Sequence, residues 1–414
     1  MRIVADFHIH SRYSRATSSQ LDLELLARWA KYKGITLLGT GDCTHPLWLA
    51  ELKQKLKAGP GGLYQYQGVL FLLTAEVNAN FVSGGKGRRI HNLLLLPSIE
   101  VAERLNQRLA RYGDLASDGR PTLNLSAQEL VKLALEVSPE ILIVPAHAWT
   151  PHFSIFGANS GFDTVEECFG PQAKEIHCLE TGLSSDPAMN WRLSQLDRYT
   201  LISNSDSHSA SRIGREANVF EGQPGYGEIL SILKGKDPKR FLYTIEFFPE
   251  EGKYHFDGHR LCKARVSPEE SAKNQNRCPV CGKKVTIGVM HRVESLANRP
   301  IGYEPPPPHR IPFKNLVPLD QIIADVRSVG VGSKAVEQEY LEWVQRVGSE
   351  FEILVDLSEE ALRKQLPPKV AEGILRVRRG EIRILPGYDG EYGEVNIFGQ
   401  EEPQMGEKQL TLFE

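Results

Sequence analysis

The chain has 414 residues, 41% of them apolar and 24% charged, with a formal net charge of −3. That composition excludes a disordered or fibrous protein and offers no overall attraction for a polyanion, so any nucleic-acid affinity has to come from a local patch. The opening MRIVADFHIHSRYSR has no apolar signal region, and no run approaches the roughly 18 unbroken apolar residues of a membrane span, so a cytoplasmic protein without a membrane partner is expected.

Residues 1–245 alternate short apolar runs with helical periods. The runs are IVADFHIH, ITLLGTGD, VLFLLTAEVN, IHNLLLLP, ILIVPAHAW, IHCLETGL and TLISNSDSH, and helices are predicted over 20–33, 99–112 and 126–137. Such alternation predicts an α/β fold with a mostly parallel sheet. Seven strands suffice to close a barrel, and most of these end in His, Asp or Glu, at the end where barrel enzymes keep their chemistry. Residues 246–300 form a basic module, with ten Lys/Arg against four Asp/Glu between 252 and 300, too small for a core of its own. The proline run 305–308 predicts a stiff linker. Within 301–395, the stretches 319–350 and 357–379 read as helices, interrupted by Gly330-Val331-Gly332-Ser333 and Leu366-Pro367-Pro368. The first interruption is similar to the turn of helix-hairpin-helix DNA binders, with an ordinary interhelical turn as the alternative. Residues 396–414 form a polar tail with an apolar end.

Candidate metal ligands are His8, His10, Asp42, His45, Glu76, His91, His147, Asp206 and His208. In D-F-H-I-H the two histidines alternate along an extended chain and share one side, as a metal grip requires; Asp206 and His208 repeat that spacing. A lone H-x-H is as easily one core histidine and one solvent histidine, but two such pairs joined by Glu76 and His147 at strand ends favour a metal site. Asp6 is a candidate partner for a ligand ring, with strand-end solvation the alternative.

The ordered set resembles the polymerase-and-histidinol-phosphatase (PHP) family over residues 1 to about 240. The resemblance implies a distorted (β/α)7 barrel holding two or three metal ions that hydrolyse phosphate esters, with His8, His10, Glu76, Asp206 and His208 catalytic. Where that family has Asp-His, this chain has Asp42-Cys43-Thr44-His45, so either Asp42 or His45, or both, supplies a ligand; Asp42 matches the turn better. Ser14-Arg15 stands where the family usually places a further ligand, and His91 falls at a strand start. Zinc, magnesium or manganese would suit the barrel.

His259-x2-Cys262 and Cys278-x2-Cys281, with Pro and Gly in C-P-V-C-G, signal a structural zinc site, His255 being the competing fourth ligand. Cys43, Cys168 and Cys178 read as ordinary buried thiols. The order of barrel, basic zinc module and helical segment ending near L-P-G-Y-D-G-E-Y-G resembles the endonuclease Q family over nearly the full chain. That implies a DNA repair endonuclease cutting 5′ to deaminated bases (uracil, hypoxanthine, xanthine) and at abasic sites, with zinc in the module and lesion-bearing DNA as partner. A small-molecule phosphoesterase and a non-catalytic DNA-binding scaffold are the alternatives. For an extruded base, the candidate pocket residues are Trp149, Phe153, Phe156 and Glu180, with core packing the alternative for the aromatics. Near the terminus, Gln409, Leu410, Leu412 and Phe413 resemble the pentapeptide that docks bacterial repair proteins on the β sliding clamp, which predicts a bacterial source and a clamp partner.

Overall fold

A computed structural model describes residues 1–307 and 310–399. The clamp-like Gln409–Phe413 segment and the end of the proline run lie outside them. Seven strands wall a distorted barrel: β1 (Arg2–Asp6), β2 (Leu37–Gly39), β3 (Val69–Ser83), β4 (Lys86–Leu96), β5 (Leu142–Pro145), β6 (Cys178–Glu180) and β7 (Thr200–Ile202). All seven overlap the apolar runs read from the sequence. Neighbours around the wall follow chain order: β1–β2, β2–β3 and β6–β7 are parallel, whereas β3–β4 and β4–β5 are antiparallel. Beyond β5 the Ala148 N–H donates to the Glu180 carbonyl, and the circuit closes where Ile9 bridges Ser207. The departure from a parallel sheet is thus concentrated in β4, and in strands Ala217–Glu221 and Phe241–Glu246, which extend the sheet antiparallel from β1.

Alternation along the strands sorts the side chains. Ile3, Ala5, Leu37, Leu72, Leu93, Leu95, Leu142, Val144, Cys178 and Ile202 share one buried cluster, which the helix Tyr226–Gly235 completes with Ile229, Leu230, Ile232 and Leu233. The alternate residues Val4, Leu38, Phe71, Leu73, Leu94, Ile143 and Leu179 pack in a second core with the helices. Helix starts are set by caps. Asp22 accepts from the Leu25 N–H and begins Leu23–Lys33, Ser98 begins Ile99–Leu109, and a Ser126–Glu129 capping box begins Ala127–Val137.

The helices Leu319–Arg327, Lys334–Arg346, Glu359–Gln365 and Pro368–Arg379 share that second core instead of forming one of their own. Lys33, almost fully buried, meets Glu350 at 2.5 Å, and Trp29 stacks on Tyr340 with ring centroids 5.6 Å apart. The segment after the prolines likewise returns to the barrel, where Phe313–Asn315 pairs parallel with Phe241–Glu246. Residues past 382 do not stay with the helices: the hairpin of Arg383–Leu385 and Glu394–Asn396 carries a turn back to the zinc module, where Tyr388 bridges Phe256 and Asp389 accepts from the Arg260 N–H. The module consists of the hairpin Asp257–His259/Ala264–Val266 and an Arg277–Lys284 bridge, closed over a small core of Ala264, Val266, Cys278 and Val285. Among the described residues no helix is long and apolar enough to cross a membrane.

Candidate metal centre

Glu76 continues the inward row of Leu72 up β3, and His91 lies on the adjacent β4, whose reversed direction puts its first half beside the far half of β3. A histidine at a strand start therefore reaches the same rim as residues at strand ends. His8 and His10 flank the Ile9–Ser207 bridge just past β1, His147 follows β5, and Asp206 follows β7.

These elements bring together two groups of ligand atoms. His8, His10, Glu76 and Asp206 form one, and Glu76, His91 and His147 the other, the atoms of each lying within 4.8 Å of one another. Glu76 is common to both and divides its oxygens. Oε1 lies 2.6 Å from His91 Nδ1 and 3.1 Å from His147 Nε2, while Oε2 lies 3.4 Å from both His8 Nε2 and His10 Nε2. A carboxylate placed this way is suited to bridge two ions.

The partners of the histidines fix their tautomers. His8 Nδ1 donates to the Glu180 carboxylate at 3.0 Å and His10 Nδ1 to Asp42 Oδ1 at 3.0 Å. The Thr150 hydroxyl donates to the His147 carbonyl, so it can accept from His147 Nδ1 at 2.7 Å. Each ring is left with Nε2 facing the cluster. His8 Nε2 is buried without a hydrogen-bond partner among carboxylates. A buried nitrogen of this kind, ringed by acceptors, fits a cation in the cluster. Burial works against charge on His8, but Glu180, Glu76 and Asp206 outweigh it and raise its pKa well above the ordinary histidine value; Asp42 and Asp206 do the same for His10. Burial likewise opposes ionisation of Glu76, yet His91, His8 and Arg120 hold its pKa well below the usual carboxylate range. Burial pushes His91 down to about 4, against the pull of Glu76. Asp42, His147 and Asp206 all have positive φ, at 47°, 32° and 45°, a conformation that costs L-residues energy and is held here by the surrounding bonds.

Several expectations are corrected. Asp42 is in neither ligand group: it is fully buried and accepts from the Ser11 N–H and from the Ser11 and Ser14 hydroxyls besides His10, so it orients a ring. Nor does His45 join them. Its Nε2 donates to the Ala116 carbonyl and its ring stacks on Tyr13 at 4.4 Å. His208 stands beside the clusters, its ring 4.3 Å from that of His10 and 30% exposed. Asp6 neither holds a ring nor faces solvent; it ties Ser205 and Gly214 to β1, and burial raises its pKa to about 6. Trp149 and Phe156 are core residues, packed on each other with Trp149 donating to Asn190, and cannot line an open pocket. Glu180 is fully buried and committed to His8, the His147 N–H and Asn204. Only Phe153 of that set faces the site, stacked on His91 at 4.9 Å.

Sequence reading missed Arg120, whose guanidinium reaches Glu76 Oε2 at 3.2 Å while 26% exposed, and the ring-holding role of Glu180. The Glu180 role makes a prediction. Glu180→Gln leaves the shape intact but can present an N–H to His8 Nδ1, so metal affinity should fall about 10–100-fold; calorimetric titration with Mn2+ giving wild-type affinity would rule the role out.

In the zinc module His259, Cys262, Cys278 and Cys281 converge, with His259 Nδ1 3.5 Å from Cys281 Sγ. Although burial works the other way, the N–H groups of Cys281 and Val280 pull the Cys278 thiol down to about 7, towards the thiolate a metal needs. His255 is not among them. It is buried against Phe256, and burial pushes its pKa down to about 4. Cys43, Cys168 and Cys178 are buried free thiols.

Comparison with known proteins gives consistent matches. A family model described as the MJ0043 C-terminal domain matches residues 318–381. The chain is 29% identical to the uncharacterized protein YqxK of Bacillus subtilis, over 95% of this chain and 99% of that one. It is 32% identical to the uncharacterized protein MJ0043 of Methanocaldococcus jannaschii over 64% of this chain, spanning 33% of that longer protein. The crystal structure of a lesion-specific endonuclease, endonuclease Q from Pyrococcus furiosus, matches with TM-score 0.85 and 33% identity, covering 97% of this chain and 98% of that one. An endonuclease Q complex with a 27-mer duplex carrying an abasic lesion at its active site matches with TM-score 0.84 and 34% identity, covering 96% of both chains.

Proposed function

The chain belongs to the endonuclease Q family, and from that premise we propose that it is a metal-dependent DNA repair endonuclease. It hydrolyses the phosphodiester 5′ to deaminated bases (uracil, hypoxanthine, xanthine) and at abasic sites. The observation that carries this reading is the pair of buried ligand groups sharing Glu76.

His8, His10, Glu76 and Asp206 would hold one ion, and Glu76, His91 and His147 the second; the imidazole nitrogens suit zinc, and the carboxylates also admit manganese or magnesium. When bound, such ions supply Lewis acidity and lower the pKa of coordinated water. The chain's own residues do the rest. Glu180, Asp42 and Thr150 hold the ligand rings by Nδ1 and so turn Nε2 of each towards the cluster. Arg120 offers its partly exposed guanidinium to the phosphate, and His208, at the rim, is placed to exchange a proton with the substrate. A cleft of about 830 Å³ runs between barrel and zinc module, with Arg88 and His152 on one wall and Tyr254, His291 and Arg292 on the other, and its basic side chains suit a nucleic-acid strand. Its barrel wall is the segment that seats Phe153 on His91.

The test is incubation of pure protein with labelled duplexes containing uracil, hypoxanthine or an abasic site, with and without chelator. Nicking 5′ to the lesion that chelator abolishes is expected. Hydrolysis of small phosphate esters alone would favour the phosphoesterase reading, and binding without cleavage a scaffold.

A bacterial β sliding clamp is proposed as a second partner through the tail. Within the Gln409–Phe413 segment, which includes Leu410, Gln409 would make polar contacts at a groove's edge while Leu412 and Phe413 fill an apolar pocket, a compact anchor on a polar tether. Truncation after Lys408 should abolish binding to immobilised β clamp, and equal affinity of the truncated and full-length proteins would dismiss the tail as a ligand.

A further inference from the structure

The zinc module ends in two knuckle turns, and each displays an apolar residue to solvent. Leu261, between His259 and Cys262, is 84% exposed, and Val280, between Cys278 and Cys281, is 69% exposed. A single exposed leucine means little, but these two belong to the same tip, because their neighbouring ligands converge on one cluster. Around them Lys263, Arg265, Arg277, Lys283 and Lys284 are all exposed, and among the described residues none of the five forms an ion pair; the module's pairs are made instead by residues such as Arg260 with Glu391 and Lys273 with Glu269.

Apolar points on a module bearing cations without an ion pair fit a polyanion whose interior is apolar and stacked, which is DNA. An acidic protein surface would match the charges and could bury the two aliphatic side chains as well, so the choice of DNA rests on where the tip lies. The tip is also continuous with the cleft. Thr286 and Asp389, which line it, hydrogen-bond to each other, and Asp389 accepts from the Arg260 N–H beside Leu261.

We infer that Leu261 and Val280 form a wedge that enters the base stack at the lesion while the surrounding cations hold the flanking phosphates. This rests on the endonuclease reading and assigns its duplex-opening step to the zinc module. Apolar wedges of this kind compensate the unstacking a kink or an extruded nucleotide requires. A zinc held by His259, Cys262, Cys278 and Cys281 would fix the two turns relative to each other, so that the wedge is rigid before it meets DNA.

The experiment compares wild type with the double variant Leu261→Ser/Val280→Ser. Both positions are exposed, so folding is preserved, and one zinc per chain is checked by elemental analysis. Nicking is measured on uracil in a fully paired duplex and on uracil in an unpaired bubble. Fluorescence of 2-aminopurine next to the lesion is read separately with both tips in a Glu76→Ala background, where cutting is suppressed and the module keeps its zinc. The variant should lose about tenfold or more on the paired substrate with little change on the bubble, and should lose the fluorescence rise that reports unstacking. An unchanged paired-to-bubble ratio, or equal loss on both, overturns the wedge. If the wild type nicks neither substrate the endonuclease reading falls, and the fluorescence difference alone then decides whether the tip opens DNA.

Discussion

Glu76→Ala should reduce lesion nicking by about three orders of magnitude or more, the largest effect expected of any single substitution in the barrel. Both ligand groups lose a member at once, and the charge stabilisation that a metal pair contributes amounts to several kcal/mol. The deletion also leaves Arg120 without its carboxylate and places His91 and His147 together without the negative group between them. Asp206→Ala removes a member of one group only, so its loss should be partly recoverable at high metal concentration, whereas that of Glu76→Ala should not. Near wild-type nicking by Glu76→Ala, with its circular dichroism spectrum intact, would refute the shared-carboxylate site. Metal loading carries a pH sign as well. His8 and His10 have raised pKa values without metal, so a cation must displace their protons, and the midpoint for reactivation of chelator-stripped protein should move to higher metal concentration as pH falls.

Cys278→Ser should release about one zinc per chain and unfold the module, because the binding energy of a structural zinc, about 10–16 kcal/mol in isolated finger peptides, is largely folding energy in so small a unit. Only Ala264, Val266, Cys278 and Val285 form its own buried cluster. The damage should spread to the 383–397 hairpin, whose turn rests on Phe256, Arg260 and Thr286 of the module, but stop short of the barrel core. Hydrogen exchange should rise sharply over 256–290 and 383–397 while the barrel strands stay protected. Unchanged zinc content would refute this ligand set.

The sequence displayed much of this, and the exceptions have physical causes. Seven apolar runs, H-x-H, D-x-H and the paired x2 spacings are local patterns, and the structure places them as strands, rim residues and knuckles. Strand direction is not local: IHNLLLLP reads the same whether it runs up or down the wall, so His91 looked misplaced until β4 proved inverted. Ligand and ligand-holder are also chemically alike in sequence. Asp42 and Glu180 carry the same carboxylate as Asp206 and Glu76, and only three-dimensional partners reveal that they accept from ring Nδ1 atoms. Trp149 and Phe156 looked available because they follow a ligand histidine, but the 149–162 segment folds on itself and buries them.

The hairpin of β3 and β4 also sets how the family's genes can change length here. Asn78 pairs with His91 and Glu76 with Leu93, and the tip at Gly84-Gly85 projects beyond the packed wall. Insertions at the tip leave every pair between 76 and 93 in register, so this loop can drift freely in size. Within the ladder the rule is parity: losing one residue between Glu76 and the tip turns the glutamate to the opposite face from His91, whereas losing two restores the face and shifts the pair along the wall. The divide between tolerated and lethal deletions should therefore fall where the ladder begins, at the Ser83–Lys86 pair directly beside the tip.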